Sequence, residues 1–317
     1  MNIIFMGTPD FSIPSLKILL DYNYKISAVV TQPDKERGRG QKVSFTPVKQ
    51  FAVEHNLTVY QPEKLKGNLE FIEEMKSLQP DLFVVVAFRI LPKEVFEIPK
   101  FGSFNLHGSF LPKYRGAAPI QWALINGETE TGLTTFKLAE KVDTGNIYLQ
   151  EKVQINLDDN FETLHDRMSE LGAKLVLETV KLIVRQDSFG ESGKYELKQQ
   201  DDSLASPAPK ITKETCLINW NKSAEEIHNL VRGLSPYPGA FFIYNDKVIK
   251  IYKTQVMGRN DLKPFQIEQT KIDKSGSRRN ELIIGCGKNA LKILELQQEG
   301  KKRMSVEEFL RGFSFSK

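Results

Sequence analysis

Two apolar patterns alternate along the first half of the chain. Short unbroken runs, NIIFMG, KISAVVTQ, LTVYQ, DLFVVVAF and FGSFNLHGS, are separated by stretches with apolar positions three and four apart, PSLKILLDY, PVKQFAVEHN, NLEFIEEMKSL and PKEVFEI. Runs such as VVVAF between amphipathic helices predict parallel strands covered on both faces, hence an α/β class with an open, mostly parallel, Rossmann-like sheet. Ligands of such sheets bind beyond the carboxyl ends of the strands, and both MGTPDFS and FNLHGS fall at those ends. The long amphipathic stretch ETLHDRMSELGAKLVLETVKLIV is predicted to be the helix that closes this domain.

From Asp187 to Lys210 the pattern gives way to DSFGESGKYELKQQDDSLASPAPK, rich in Gly, Ser, Pro and charge, which predicts an exposed linker. The expected division is a first domain over 1–187, a linker over 188–206 and a second domain over 207–317. In the second, SAEEIHNLVRGL is a predicted helix with Ser223 as N-cap and Glu226 completing a capping box. The runs AFFIYN, KVIKIYKTQVM, PFQIEQTKI, ELIIGCG and ALKILELQQ predict five or so short strands and a small β-barrel, with OB-like barrels among the candidates.

Composition narrows the class. The 317 residues exceed the usual single domain, and 40% apolar with 26% charged residues is globular rather than disordered. MNIIFMGTPDF lacks a basic region, a long apolar core and a cleavage site, and no run approaches the roughly 18 apolar residues of a membrane span, so a cytoplasmic protein with no membrane partner is expected. Cys216 and Cys286 have no CxxC or histidine spacing around them; neither zinc binding nor a disulfide is expected, and both read as core residues. Residues 206–317 hold 20 Lys and Arg against 12 Asp and Glu, a net of +8, which leaves −4 for residues 1–205. That asymmetry fits a polyanionic partner or a solvated lysine-rich surface, and charge alone leaves both open.

The glycine loops exclude two ligand classes. FMGTPDFS has one glycine where GxGxxG needs three, so NAD is not expected, and neither GESGKY nor GCGKNA has P-loop spacing. In FNLHGSFLPKYRGAAP, strand alternation puts Asn105 and His107 on one face and Phe104 and Leu106 on the other. Asp143 follows in the turn VDTGN. Brought together at a strand end, an amide, an imidazole and a carboxylate suit acyl transfer to an amine: donors for an oxyanion, and a carboxylate that relays a proton through water. No serine or cysteine nucleophile with a nearby base is evident, which favours direct transfer. Spacing alone equally allows Asn105 and His107 to cap local backbone and Asp143 simply to make a turn.

Longer blocks decide between these readings. FMGTPDF at 5–11, TQPDKERGRGQK at 31–42, FNLHGSFLPKYRGAAPIQWALINGETETGLTTFKL at 104–138, VDTGNIY at 142–148, INWNKSAEEI at 218–227 and LQQEGKKRMSVEEFLRG at 296–312 resemble, in order and from end to end, the methionyl-tRNA formyltransferase family. The resemblance implies formyl transfer from 10-formyltetrahydrofolate, with no metal and no NAD, to the α-amino group of methionine on initiator methionyl-tRNA. It implies a monomer in which Asn105, His107 and Asp143 are catalytic. Asn105 and His107 would polarise the formyl oxygen, and Asp143 would hold a relaying water and set the charge state of His107.

The folate loop implied by the resemblance is Ser109, Phe110, Leu111 and Pro112, with Phe110 where the family usually has Leu. A second folate segment is Phe88, Arg89 and Ile90, where Ala87-Phe88-Arg89 replaces the commoner Ala-Tyr-Gly; the charge of Arg89 has no purpose legible in the sequence. Lys141-Val142 stands where Gly-Leu is commoner. The implied tRNA contacts are Arg37, Arg39 and Lys42, in a loop that reaches the acceptor end, and Lys301, Lys302 and Arg303 in the basic second domain. Two other functions compete: a formyltransferase for a small amine, either glycinamide ribonucleotide or an amino sugar nucleotide, and a non-catalytic RNA-binding protein that keeps the fold.

Overall fold

The apolar runs of the first half pair into one sheet in the computed structural model, which describes residues 1–37, 42–189, 196–270 and 280–315. The strands in chain order are β1 (Asn2–Gly7), β2 (Lys25–Val30), β3 (Lys35–Arg37), β4 (Lys42–Ser44), β5 (Val59–Tyr60), β6 (Leu82–Val86), β7 (Ser103–His107), β8 (Glu130–Lys137) and β9 (Ile147–Gln154). β3 and β4 form a separate hairpin, and the others order as β5-β2-β1-β6-β7-β8-β9. From β5 to β7 the pairing is parallel, and β8 turns antiparallel to β7. Because the chain leaves β1 first toward β2 and later returns on its other side as β6, the strand order reverses between β1 and β6. The crevice beyond their carboxyl ends is the natural ligand position.

The helices between these strands and after them are α1 (Ile13–Asp21), α2 (Pro47–Glu54), α3 (Leu69–Ser77), α4 (Lys93–Phe96), α5 (Pro119–Ile125) and α6 (Phe161–Phe189). Local chemistry sets their starts: the Thr46 hydroxyl accepts from Lys49 N at 3.1 Å ahead of Pro47, and Asn68 Oδ1 accepts from Phe71 N at 3.1 Å. All five residues of β6 are buried, as an unbroken apolar run requires of a strand covered on both faces. On one face Ile4, Met6, Phe83 and Val85 pack with Phe71, Ile72 and Met75 of α3 and Val95 and Phe96 of α4. On the other, α6 presses on Leu106 so closely that a Cβ at Gly172 would lie 2.6 Å from Leu106 Cδ2.

The chain forms two compact units, one of residues 1–119, 131–154 and 165–208, the other of 120–130, 155–164 and 209–317. The second holds α7 (Lys213–Cys216), α8 (Ala224–Gly233), β10 (Ala240–Tyr244), β11 (Lys247–Met257), β12 (Ile267–Thr270), β13 (Glu281–Gly285), β14 (Ala290–Gln298), β15 (Met304–Ser305) and α9 (Val306–Gly312). Its strands form an antiparallel sheet in the order β10-β11-β14-β13-β12, with β15 on β14. The capping box of α8 forms as its sequence predicts: Ser223 Oγ accepts from Glu226 N at 3.2 Å, and Glu226 Oε2 accepts from Ser223 N at 2.9 Å. Cys216 and Cys286 are free and sit in this unit's core with Trp220, Ile227 and Phe242. Burial pushes the Cys286 thiol up to about 12, so it stays an unreactive thiol at neutral pH.

Of the stretch expected to be an exposed linker, residues 187–189 are the end of α6, and residues 196–208 belong to the first unit. Lys198 and Ile147 exchange backbone hydrogen bonds of 2.8 and 3.1 Å, Arg115 N donates to Ser206 O at 2.8 Å, and Ala208 N donates to Arg115 O at 2.7 Å. Its polar composition reflects the exposed side chains of residues 201–205, whereas its backbone is held by partners distant in sequence.

Candidate active site

β7 carries the first two candidate residues to the edge of the apolar core. Asn105 is in register with Val85, so it shares the face packed by α3 and α4 at the point where that cluster ends. His107, two residues on, is 6% exposed. The expected common face of Asn105 and His107 is thus the face that opens at the carboxyl end of the sheet, with Phe104 and Leu106 buried behind it.

The third residue arrives from the turn after β8. Asp143 adopts a left-handed conformation, φ 55°, and its Oδ2 accepts from Gly116 N at 2.8 Å and lies 3.8 Å from His107 Nδ1. His107 Nε2 is 2.8 Å from Tyr114 O. A carbonyl can only accept, so Nε2 carries the proton and Nδ1 is the nitrogen left to face Asp143 and a substrate. Tyr114 and Gly116, at φ 61° and 127°, are themselves left-handed, so both loops that orient His107 and Asp143 hold uncommon backbone geometry. Asn105 is half-buried, and its side-chain amide is bonded to no other described residue, which leaves its two donors for a ligand.

The loop Ser109 to Pro112 follows directly from β7 and is tied down from within. Thr134 Oγ1 donates to Ser109 O at 2.8 Å and accepts from Leu111 N at 3.1 Å; Gln150 Nε2 donates to Leu111 O at 2.8 Å; Ser109 Oγ donates to Lys113 O at 2.6 Å. Phe110 fits because position 132 is glycine: a Cβ there would sit 2.8 Å from Phe110 Cβ and Cδ2. The other segment leaves β6 through Ala87, φ 47°. Phe88 packs on the apolar core and Ile90 is 74% exposed. Arg89 has a structural task that its sequence context hides. Its Nη1 and Nη2 donate to the carbonyls of Glu63 and Pro62 at 2.9 and 2.6 Å, fastening that loop to the end of β6, and burial holds its pKa below the usual guanidinium range.

Arg37 and Lys42 are cross-strand partners in the β3–β4 hairpin, and Arg39 lies outside the described residues. Lys301, Lys302 and Arg303 are exposed between β14 and β15. Arg303 is already engaged: its Nε donates to Glu295 Oε2 at 2.8 Å and its guanidinium stacks over Tyr252 at 4.6 Å. Among the described residues no group of three or more His, Cys, Asp or Glu is placed to hold a metal, and no helix is long and apolar enough to cross a membrane.

Sequence reading missed the residues that hold these loops: Thr134, Gln150, Arg115 and above all Gln200. Gln200 is 7% exposed, and its amide reaches both the Asp143 turn and Arg115. A buried glutamine inside a polar, glycine-rich stretch has no periodic signature, so nothing local marks it.

Residues 1–180 match the formyl transferase family model, and residues 210–314 match the model of the formyl transferase C-terminal domain. The chain is 47% identical over 313 residues to the methionyl-tRNA formyltransferase of Caldanaerobacter subterraneus subsp. tengcongensis, covering 98% of this chain and 97% of that protein. It is also 47% identical over 315 residues to the methionyl-tRNA formyltransferase of Clostridioides difficile, with the same coverage. Among solved structures, an N-formyltransferase from Helicobacter canadensis, in complex with folinic acid and dTDP-3-aminofucose, superposes with a TM-score of 0.66 at 22% identity, over 95% of this chain and 99% of that one. HypX from Aquifex aeolicus with tetrahydrofolic acid superposes with a TM-score of 0.61 at 17% identity, over 97% of this chain and 46% of that one. At these identities the two structures establish the shared fold.

Proposed function

The chain belongs to the formyl transferase family, and from that membership we propose that it transfers the formyl group of 10-formyltetrahydrofolate to the α-amino group of methionine on initiator methionyl-tRNA. The observation that carries the choice of acceptor is the 47% identity to methionyl-tRNA formyltransferases across both units. The fold itself does not choose, since an N-formyltransferase in complex with dTDP-3-aminofucose spans nearly the same length.

In the reaction the amine nitrogen attacks the formyl carbon, the new C–N bond forms, and the bond to N10 of the folate breaks as the proton lost by the amine is delivered to N10. Asn105 offers its uncommitted amide to the formyl oxygen as negative charge develops there. His107, with Nε2 held by Tyr114 O, presents Nδ1; donation from it requires the doubly protonated ring, whose charge then faces the Asp143 carboxylate 3.8 Å away. Asp143 retains one oxygen for a relaying water while Gly116 N fixes the other. Ser109–Pro112 and Phe88–Ile90 flank the crevice and hold the folate. The enzyme works as a monomer in the cytoplasm, where initiator tRNA is charged.

Incubation with 10-formyltetrahydrofolate and charged initiator tRNA yields formylmethionine on this reading. Formylation of glycinamide ribonucleotide or an amino sugar nucleotide with none on the tRNA would replace it with a small-amine reading; tRNA binding without turnover would leave only RNA binding.

The residues that meet tRNA divide into two kinds. Lys301 and Lys302 are exposed and make no ion pair among the described residues, whereas Arg303 is paired with Glu295. Replacing Lys301 and Lys302 with alanine therefore flattens the dependence of tRNA affinity on salt by about 0.7–0.9 in log–log slope for each phosphate that is no longer neutralised, with the saturated rate unchanged. Adding Arg303→Ala changes the slope little further. Arg39→Ala lowers the saturated single-turnover rate as well, because a misplaced amine cannot use a prepared site. Binding measured against salt, with single-turnover formylation, separates the two; equal effects from both sets overturn the division.

A further inference from the structure

Gln200 makes four hydrogen bonds, the whole capacity of its amide. Nε2 donates to Asp143 O at 3.0 Å and to Gly145 O at 2.8 Å; Oε1 accepts from Arg115 Nε at 3.1 Å and Nη2 at 2.7 Å. Chemistry fixes its orientation: backbone carbonyls only accept and a guanidinium only donates, so the reversed amide would lose all four bonds. No other neutral side chain supplies two donors and two acceptors at that reach. The same Arg115 Nη2 also donates to Asp202 Oδ1 at 2.7 Å.

The two segments that Gln200 joins are the ones that set the site. One is the turn bearing Asp143. The other is the 114–116 loop, whose Tyr114 carbonyl orients His107 and whose Gly116 amide holds the Asp143 carboxylate. The same loop is latched a second time, by Ser206 Oγ accepting from Tyr114 N at 2.9 Å. We infer that Gln200 is a positioning residue for formyl transfer, holding the backbone under Asp143 in register with the loop that receives its carboxylate. This deepens the reading above and rests on it. Gln200 is 7% exposed and its whole amide is spent on these two segments, so its removal acts on the placement of Asp143 and His107 rather than on binding.

Two variants divide the role. Gln200→Leu removes all four bonds at similar volume, while Gln200→Glu keeps the acceptors for Arg115 but has no donor for Asp143 O and Gly145 O. Both are expected to lower the saturated single-turnover rate about 10²-fold, the scale of an ångström-sized misplacement, with KM for folate and Kd for tRNA within about threefold of wild type. Both also speed hydrogen exchange at the Gly116 amide by about tenfold or more, because its carboxylate partner is no longer held. A residue that only fastens its own segment predicts a different pattern: Gln200→Glu, still held by Arg115, keeps the wild-type rate and Gly116 protection. That result overturns the inference, as does a lowered Tm in both variants with an unchanged rate below it. Should Gln200→Leu fail to fold, Gln200→Glu carries both measurements. If the wild-type protein forms no formylmethionine, the functional reading fails, and Gly116 exchange still decides the role of Gln200.

Discussion

His107→Ala and Asn105→Ala each lower the saturated single-turnover rate of formyl transfer by about 10²–10³-fold, or about 2.7–4 kcal/mol of transition-state stabilisation, the measured cost of removing one oxyanion donor. Affinity for tRNA stays near wild type, because the roles proposed for both groups act on charge that develops only as the amine attacks. The structure adds a control. Alanine at 107 also removes the hydrogen bond from Nε2 to Tyr114 O in a site where His107 is 6% exposed, and the loss of one such bond costs about 0.5–1.5 kcal/mol of stability. His107→Gln restores that bond, since a glutamine amide nitrogen reaches about as far as Nε2, yet it cannot present a charged donor in place of Nδ1. Expected, then, is recovery of Tm toward wild type with the rate still depressed. Recovery of the rate alongside Tm would mean that His107 merely holds the 114–116 loop. Asp143→Asn, which keeps the shape and the acceptor for Gly116 N but removes the charge, is similarly damaging; an unchanged rate there excludes a necessary carboxylate.

The parts of this site that sequence reveals are those generated by local periodicity. Alternation along β7 suffices to place Asn105 and His107 together, because a strand offers only two faces and Phe104 and Leu106 take the other. The capping box at Ser223 and Glu226 is legible for the same reason: donor and acceptor lie three residues apart. The opposition of Asp143 to His107 comes instead from a crossover across 36 positions, and only the family resemblance supplied it. The bonds that aim the pair come from further away, Gln200 lying 57 residues from Asp143 and 85 from Arg115. Arg89 shows the limit from another side. Its charge falls within the segment Phe88–Ile90 that the resemblance assigns to folate, while its guanidinium is spent on the carbonyls of residues 62 and 63, which alternation cannot foresee.

Gly145→Ala is expected to abolish at least as much activity as either Gln200 variant. A Cβ on Gly145 would lie 1.6 Å from Lys137 O and 2.8 Å from its carbonyl carbon, so the turn and the end of β8 must separate by more than an ångström. Neither partner yields cheaply. Lys137 is held in register, with its N–H donating to Asn146 O at 2.9 Å, and Gly145 O is the acceptor of Gln200 Nε2 at 2.8 Å. Displacing the turn carries Asp143 with it, breaks the Gln200 clamp and opens the 3.8 Å approach to His107, so the saturated rate falls by at least about 10²-fold. Gly67→Ala separates this from the ordinary penalty of replacing a glycine. Gly67 is left-handed, φ 69°, with nothing within 4 Å of an added Cβ, so alanine there costs about 1–2 kcal/mol of backbone strain and leaves the rate untouched. Rates per folded molecule and Tm for both variants make the comparison: a Gly145→Ala protein with a wild-type rate would show that the turn can relax without moving its carboxylate, and the geometry assigned to Asp143 would no longer matter to the reaction.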